Sequence, residues 1–247
     1  MIIPDKTEAG KFKGKYKFVP VAKEIYSDIR TPIQVLKALK AKSNHVYMLE
    51  SVENQENWGR YTFLGYNPTM CVTLLEGELV VKDDRGNVIK REKVSHPGAY
   101  LREIIEAHRS PRIEGLPTFT GGLVGYFSYD YIKYREKNLV LDAADEEHFK
   151  DMDLMLFDKV IAFDNLKQKI VVIANACLDN LDENYEKAVE DIDEIIDVIK
   201  HGEEGCFEKG RMLSEYRPLF NEEEFCSMVN KAKAVINAIA MSEEVED

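Results

Sequence analysis

The residues best placed to do chemistry fall in one stretch. Leu49, Glu50 and Ser51 close an apolar run, and Trp58-Gly59-Arg60-Tyr61 opens the next. A carboxylate, a hydroxyl and a guanidinium near adjacent strand ends can hold a zwitterion. The carboxylate takes an ammonium, the arginine a carboxylate, and the apolar flanks a side chain. A plain surface ion pair across a hairpin would look the same in sequence. Gly121, Gly122 and Gly125 invite a phosphate-loop reading, but they lie inside an apolar run and no Gly-Lys-Ser/Thr follows. A close backbone crossing, where a side chain would clash, explains them better. Asp130, Asp145, Glu146 and Glu147 have the chemistry of metal ligands or acid/base groups, yet no spacing fixes their geometry. Cys71, Cys177, Cys206 and Cys226 are far apart, and the five histidines form no His-Glu-x-x-His cluster, so no protein-built zinc site is expected. The cysteines read as thiols in a reducing compartment.

The elements that must carry these residues follow from pattern. Thr31-Pro32 is a helix start, and Ile33, Leu36, Leu39 and Lys40 follow at helical spacing, which predicts a helix over 32–41. Residues 1–30 read as irregular, with short apolar patches. Residues 45–51, 60–66, 70–76 and 78–82 are strand-like, with turns at Gly77 and 84–87. His96-Pro97-Gly98 opens a helix with Leu101, Ile104 and Ile105 on one face. Residues 120–131 predict a glycine-interrupted strand, and 154–164 and 169–176 a hairpin. Tyr185, Val189, Ile192, Ile195, Ile196 and Ile199 then form one helical stripe ended by Gly202. Asn221 with Glu224 predicts a capping box for a last helix through Ile236. Hairpin-spaced strands with helices predict an α+β fold: antiparallel sheets in a sandwich with helices outside.

Composition narrows the partners. The chain has 247 residues, 33 basic against 45 acidic, for a net charge of −12. That balance disfavours nucleic acid, whose binding needs a basic face, and anionic lipid. No apolar run approaches the roughly 20 residues that span a bilayer. The polar start lacks the apolar centre of a secretory signal, so the cytoplasm is the expected compartment.

Several motifs, in order, resemble one family. Tyr47-Met48-Leu49-Glu50-Ser51 followed by Trp58-Gly59-Arg60-Tyr61-Thr62-Phe63-Leu64-Gly65 is similar to the N-terminal signature of the large component of anthranilate synthase. Phe119-Thr120-Gly121-Gly122-Leu123-Val124-Gly125-Tyr126 with Tyr129-Asp130, and Asp153-Leu154-Met155-Leu156-Phe157-Asp158 with Phe163-Asp164, resemble its next segments. The resemblance runs over roughly residues 15–236. Beyond Lys233-Ala234-Val235-Ile236 the sequence departs from the family pattern at Asn237, with no Gly-Asp-Ile-Phe-Gln segment.

The resemblance implies a fold that is half of a four-layer α/β/β/α architecture. It implies residues 1–218 as an N-terminal regulatory half, and 219–247 as the start of a linker helix into a catalytic domain beyond this chain. The implied activity makes anthranilate and pyruvate from chorismate and ammonia, with Mg²⁺ held by ligands outside this chain. The ammonia would come from a glutamine amidotransferase component II. Tryptophan would inhibit at Ser51, Glu50, Leu49 and Arg60. No catalytic residue carries over, so the chain alone is expected to be inactive, and its uncovered surface to promote self-association. The alternatives are the large component of aminodeoxychorismate synthase and a stand-alone amino-acid-binding or interaction module without catalysis.

Overall fold

The computed structural model describes residues 2–50, 59–136, 138–139, 145, 147–205 and 210–243, with side chains as far as residue 238. Ser51, Trp58, Glu146 and Cys206 therefore lie outside the described residues. The chain divides into two compact units, Met1–Gly205 and Cys206–Asp247.

The first unit holds two antiparallel sheets. Strands β1 (Ile2–Ile3), β2 (Phe18–Tyr26), β3 (Val46–Leu49), β4 (Tyr61–Tyr66), β10 (Lys159–Asp164) and β11 (Lys169–Cys177) make a six-stranded sheet in the order β1-β2-β11-β10-β4-β3. Strands β5 (Met70–Leu75), β6 (Glu78–Asp83), β7 (Val88–Lys93), β8 (Gly122–Phe127) and β9 (Met152–Phe157) make a five-stranded sheet in the order β7-β6-β5-β9-β8. The chain passes between the sheets twice, from β4 to β5 and from β9 to β10. Helices cover both, as the α+β expectation requires.

Helices α1 (Lys6–Gly10), α2 (Pro32–Lys42) and α4 (Leu181–His201) cover one face of the six-stranded sheet. Thr31 and Gln34 cap α2 reciprocally: Gln34 N–H donates to Thr31 Oγ1 at 3.4 Å, and Thr31 N–H to Gln34 Oε1 at 3.0 Å. Its buried face is Val35, Ala38 and Leu39, one position round from the stripe expected, and Ile33 is exposed. The isoleucine stripe of α4 is buried as its periodicity requires, and each such side chain contributes about 1.5–3 kcal/mol. On the five-stranded sheet, α3 (Pro97–Ala107) buries Leu101 and Ile104, while Ile105 is exposed.

Three expectations change. Residues 18–26 are not irregular; they form the nine-residue strand β2, paired along its length with β11. Pro20 sits beyond the two-residue pairing with β1, where β2 is an edge that tolerates proline. The strand expected over 120–131 ends at Phe127, and residues 129–134 form a 3₁₀ turn. The strand expected over 154–164 is two strands in different sheets, broken at Asp158.

The second unit contains α5 (Glu222–Glu243), capped as expected: Glu224 N–H donates to Asn221 Oδ1 and Asn221 N–H to Glu224 Oε2, each at 2.9 Å. Phe225, Met228, Val229, Val235 and Ile236 are exposed along it at helical spacing.

Candidate functional site

Antiparallel pairing gathers Leu49, Glu50 and Arg60 at one end of the six-stranded sheet; Ser51 lies outside the described residues. Leu49 ends β3 opposite Phe63 of β4, and Tyr61 begins β4 opposite Asp164, the last residue of β10. Directly paired residues share a face. Leu49, Tyr61, Phe63 and Asp164 therefore lie on the same side of the sheet. Tyr61 stacks on Phe63 with ring centroids 5.6 Å apart, and Phe63 meets the edge of Phe119 at 5.4 Å. With Leu116 these rings cover Ala22, Val160, Ala162, Val171 and Ile173. Glu50 follows Leu49 as an exposed carboxylate.

Arg60 has a partner that the local sequence did not name. Its Nη2 donates to Asp164 Oδ2 at 2.7 Å and its Nε to Oδ1 at 3.1 Å, a bidentate pair. Asp164 is buried and also accepts the backbone N–H groups of Leu166 and Lys167 at the β10–β11 turn. Burial pushes the Asp164 carboxyl up, but the Arg60 bond and the two amides outweigh it and hold the group below the usual carboxylate range. The guanidinium also lies over the Tyr61 ring at 4.8 Å. The ion pair of Arg60 is thus made with the distant, buried Asp164, not with a charge of the β3–β4 stretch weighed from sequence. A ligand carboxylate arriving here shares Arg60 with Asp164 rather than meeting an isolated cation.

Gly121 and Gly125 do what the crossing reading expects, whereas a Cβ at Gly122 would meet only the Phe119 side chain at an ordinary 3.6 Å, and its φ of +143° is what favours glycine there. A Cβ at Gly125, where φ is +157°, would stand 2.0 Å from the carbonyl oxygen of Asp153 on the neighbouring strand. One at Gly121 would stand 2.8 Å from Asn175 Nδ2. They are packing positions, not a phosphate cradle. Asp145 caps the turn at Phe149, accepting its N–H at 2.9 Å. Among the described residues no group of three or more His, Cys, Asp or Glu side chains converges as a metal site requires.

Sequence reasoning gave no role to Asp158. It is the single residue between β9 and β10, and it lines a cleft of about 730 Å³ with His45, Lys159, Lys187 and Asp191. Its Oδ1 is buried with no hydrogen-bond partner among the described residues, and burial pushes its carboxyl up. The signal in the sequence was one acid interrupting two apolar runs, at Phe157-Asp158-Lys159.

Comparison with known proteins places this architecture. The pattern of the family described as chorismate binding enzyme matches residues 44–243. The chain belongs to the chorismate binding enzyme family. It is similar to anthranilate synthase component 1 of Acetivibrio thermocellus, 32% identical over 244 residues, 96% of this chain and 49% of that relative. It is 33% identical to anthranilate synthase component 1 of Aquifex aeolicus, over 93% of this chain and 47% of that relative. The crystal structure of anthranilate synthase component I from Streptococcus pneumoniae superposes with a TM-score of 0.52 and 27% identity, over 87% of this chain and 45% of that one. This chain spans about half the length of the curated relatives it matches.

Proposed function

We propose that this chain is the N-terminal regulatory portion of an anthranilate synthase component I. The observation that carries the reading is the similarity to anthranilate synthase component 1, which extends over nearly the whole of this chain at 32–33% identity. The complete enzyme would convert chorismate and ammonia to anthranilate and pyruvate, in the cytoplasm. A glutamine amidotransferase component II would deliver the ammonia. Mg²⁺ would supply electrostatic stabilisation in the catalytic portion. Among the described residues of this chain no cluster of side chains fits it.

In this reading the end of β3 holds the feedback inhibitor, tryptophan. Glu50 takes the ammonium, Ser51 the head group, and Leu49 with the Tyr61–Phe63 face offers apolar surface for the indole. Arg60, steadied by Asp164, faces the carboxylate. The ligand inhibits only by binding one arrangement of the enzyme more tightly than another.

The test is the tryptophan inhibition curve of an anthranilate synthase that carries this sequence as its first portion, with and without Ser51→Phe. Losing a charge-assisted contact costs about 1.5–3 kcal/mol, so the midpoint should rise at least about tenfold while uninhibited turnover stays near wild type. A midpoint that does not move overturns the regulatory assignment. Release of an aminodeoxychorismate product in place of anthranilate overturns the choice of enzyme.

A further inference from the structure

Both passages of the chain between the two sheets open on the cleft that Asp158 lines. Asn67, Pro68 and Thr69 lead from β4 to β5, and Asp158 leads from β9 to β10. Helix α4 adds Lys187 and Asp191 to the lining, and β6 adds Lys82. At about 730 Å³ the cleft falls within the range of small-molecule pockets, roughly 300–1,000 Å³. It is not the proposed effector site. Strand β4 runs from Tyr61, next to Arg60, to Tyr66, next to Asn67, and its six residues set the two places about 20 Å apart.

Most polar groups of the cleft are already matched. Asp83 accepts the backbone N–H groups of Arg85 and Asn87 and the side-chain amide of Asn87. Lys159 Nζ meets Asp191 Oδ1 at 3.5 Å. The peptide carbonyl of Asp158 accepts the backbone N–H of Asn175 at 3.0 Å and its Nδ2 at 2.9 Å. The Asp158 side chain is the exception: Oδ1 is buried and accepts nothing among the described residues, which is costly for a carboxylate. Lys187 is its complement. It is exposed, makes no ion pair among the described residues, and stands near enough for its charge to act on the Asp158 carboxyl. One cleft therefore holds an acceptor without a donor and a cation without a counter-ion, too far apart to satisfy each other.

We propose that this cleft binds a small amino carboxylate as its zwitterion, with the ammonium donating to Asp158 and the carboxylate meeting Lys187. A lone anion would face the unmatched Asp158, and a lone cation would face Lys187 and Lys82, so neither half is favoured without the other. Phe18, Pro68 and Ala188 give the carbon skeleton an apolar wall. An acid that costs the empty protein stability is the kind of local violation that binding sites keep. Every residue of the cleft belongs to the first unit, and binding there requires nothing of the proposed activity.

The probes are glycine, β-alanine, 4-aminobutanoate and 6-aminohexanoate, which set ammonium and carboxylate progressively further apart. Each is added to the full chain at neutral pH and about 10 mM, tenfold above a dissociation constant of about 1 mM, with butylamine and butanoate as single-charge controls. The expected result is that at least one probe raises the melting temperature by about 3 °C or more while neither control does. Asp158→Asn should raise the melting temperature of the empty protein and abolish the shift, opposite effects that a purely structural role does not produce. Lys187→Met, at an exposed position, should weaken binding of that probe at least about tenfold by calorimetric titration. A melting temperature that no probe raises overturns the proposal, and this reading needs no variant to fold. An equal shift with butylamine or butanoate overturns the zwitterion. A shift that persists in folded Asp158→Asn protein overturns the site.

Discussion

At the scale of single residues, two aspartates in similar strand-end positions act in opposite senses. Asp164 is satisfied: Arg60 and two backbone amides hold it ionised. Its folded pKa lies below the unfolded value, so its stabilisation is present above about pH 4 and fades as the pH falls through the folded pKa. Arg60→Met should therefore cost about 1–3 kcal/mol at neutral pH, discounted because Arg60 is partly exposed. Thermal melts from neutral to acid pH should show the wild-type advantage shrinking as Asp164 protonates. A cost that is constant with pH would mean that the arginine acts only by packing. Asp158 is the reverse case, with an orphaned oxygen and a carboxyl pushed up by burial. The folded state binds its proton more tightly than the unfolded state, so this group costs stability as the pH rises through that window. Asp158→Asn should raise the melting temperature at neutral pH and change little at about pH 3, below the ordinary carboxylate range. A lower melting temperature at neutral pH would show that Lys159 and Lys187 compensate the charge.

At the scale of elements, Gly125 of β8 is set by neighbouring backbone rather than by a turn. Gly125→Ala drives a methyl into the carbonyl of Asp153 at a φ that only glycine adopts readily. The expected loss exceeds about 4 kcal/mol, the range reserved for a gross clash. Gly86→Ala is the matched comparison. Its φ is +82°, but nothing lies within 4 Å of the added methyl, so only the left-handed strain of about 1–2 kcal/mol should appear. Chemical denaturation of the two variants measures both. Equal costs would mean that β8 moves away from β9 to make room.

At the scale of the whole molecule, the chain covers half the length of its relatives, and its described residues gather no metal-binding cluster. The purified chain given chorismate, Mg²⁺ and ammonium should yield no anthranilate fluorescence above a protein-free control. Turnover above that control would show that the residues present suffice for catalysis. The same molecule contains a fully formed core, with Ile192 and Ile199 wholly buried under the six-stranded sheet. Inactivity of a folded chain would therefore be a matter of missing groups rather than of missing structure.

The sequence by itself determined what depends on neighbours a few residues away. The Thr31 N-cap, the Asn221–Glu224 capping box, the buried stripe of α4, the β10–β11 hairpin and the crossing glycines Gly121 and Gly125 were all legible, because helical period, cap chemistry and turn residues are local signals. The order of motifs carried the family. The tertiary structure decided what depends on distant pairing. Residues 18–26 contain a proline and two charged residues and look irregular alone; they are a strand because β11, some 150 residues later, supplies the ladder. Nothing in Leu156-Phe157-Asp158-Lys159 shows that the chain changes sheets there, since both flanking runs are equally apolar. The partner of Arg60 stands 104 residues away. A salt bridge between separate strands leaves no spacing in the sequence, because only the fold brings its two charges together.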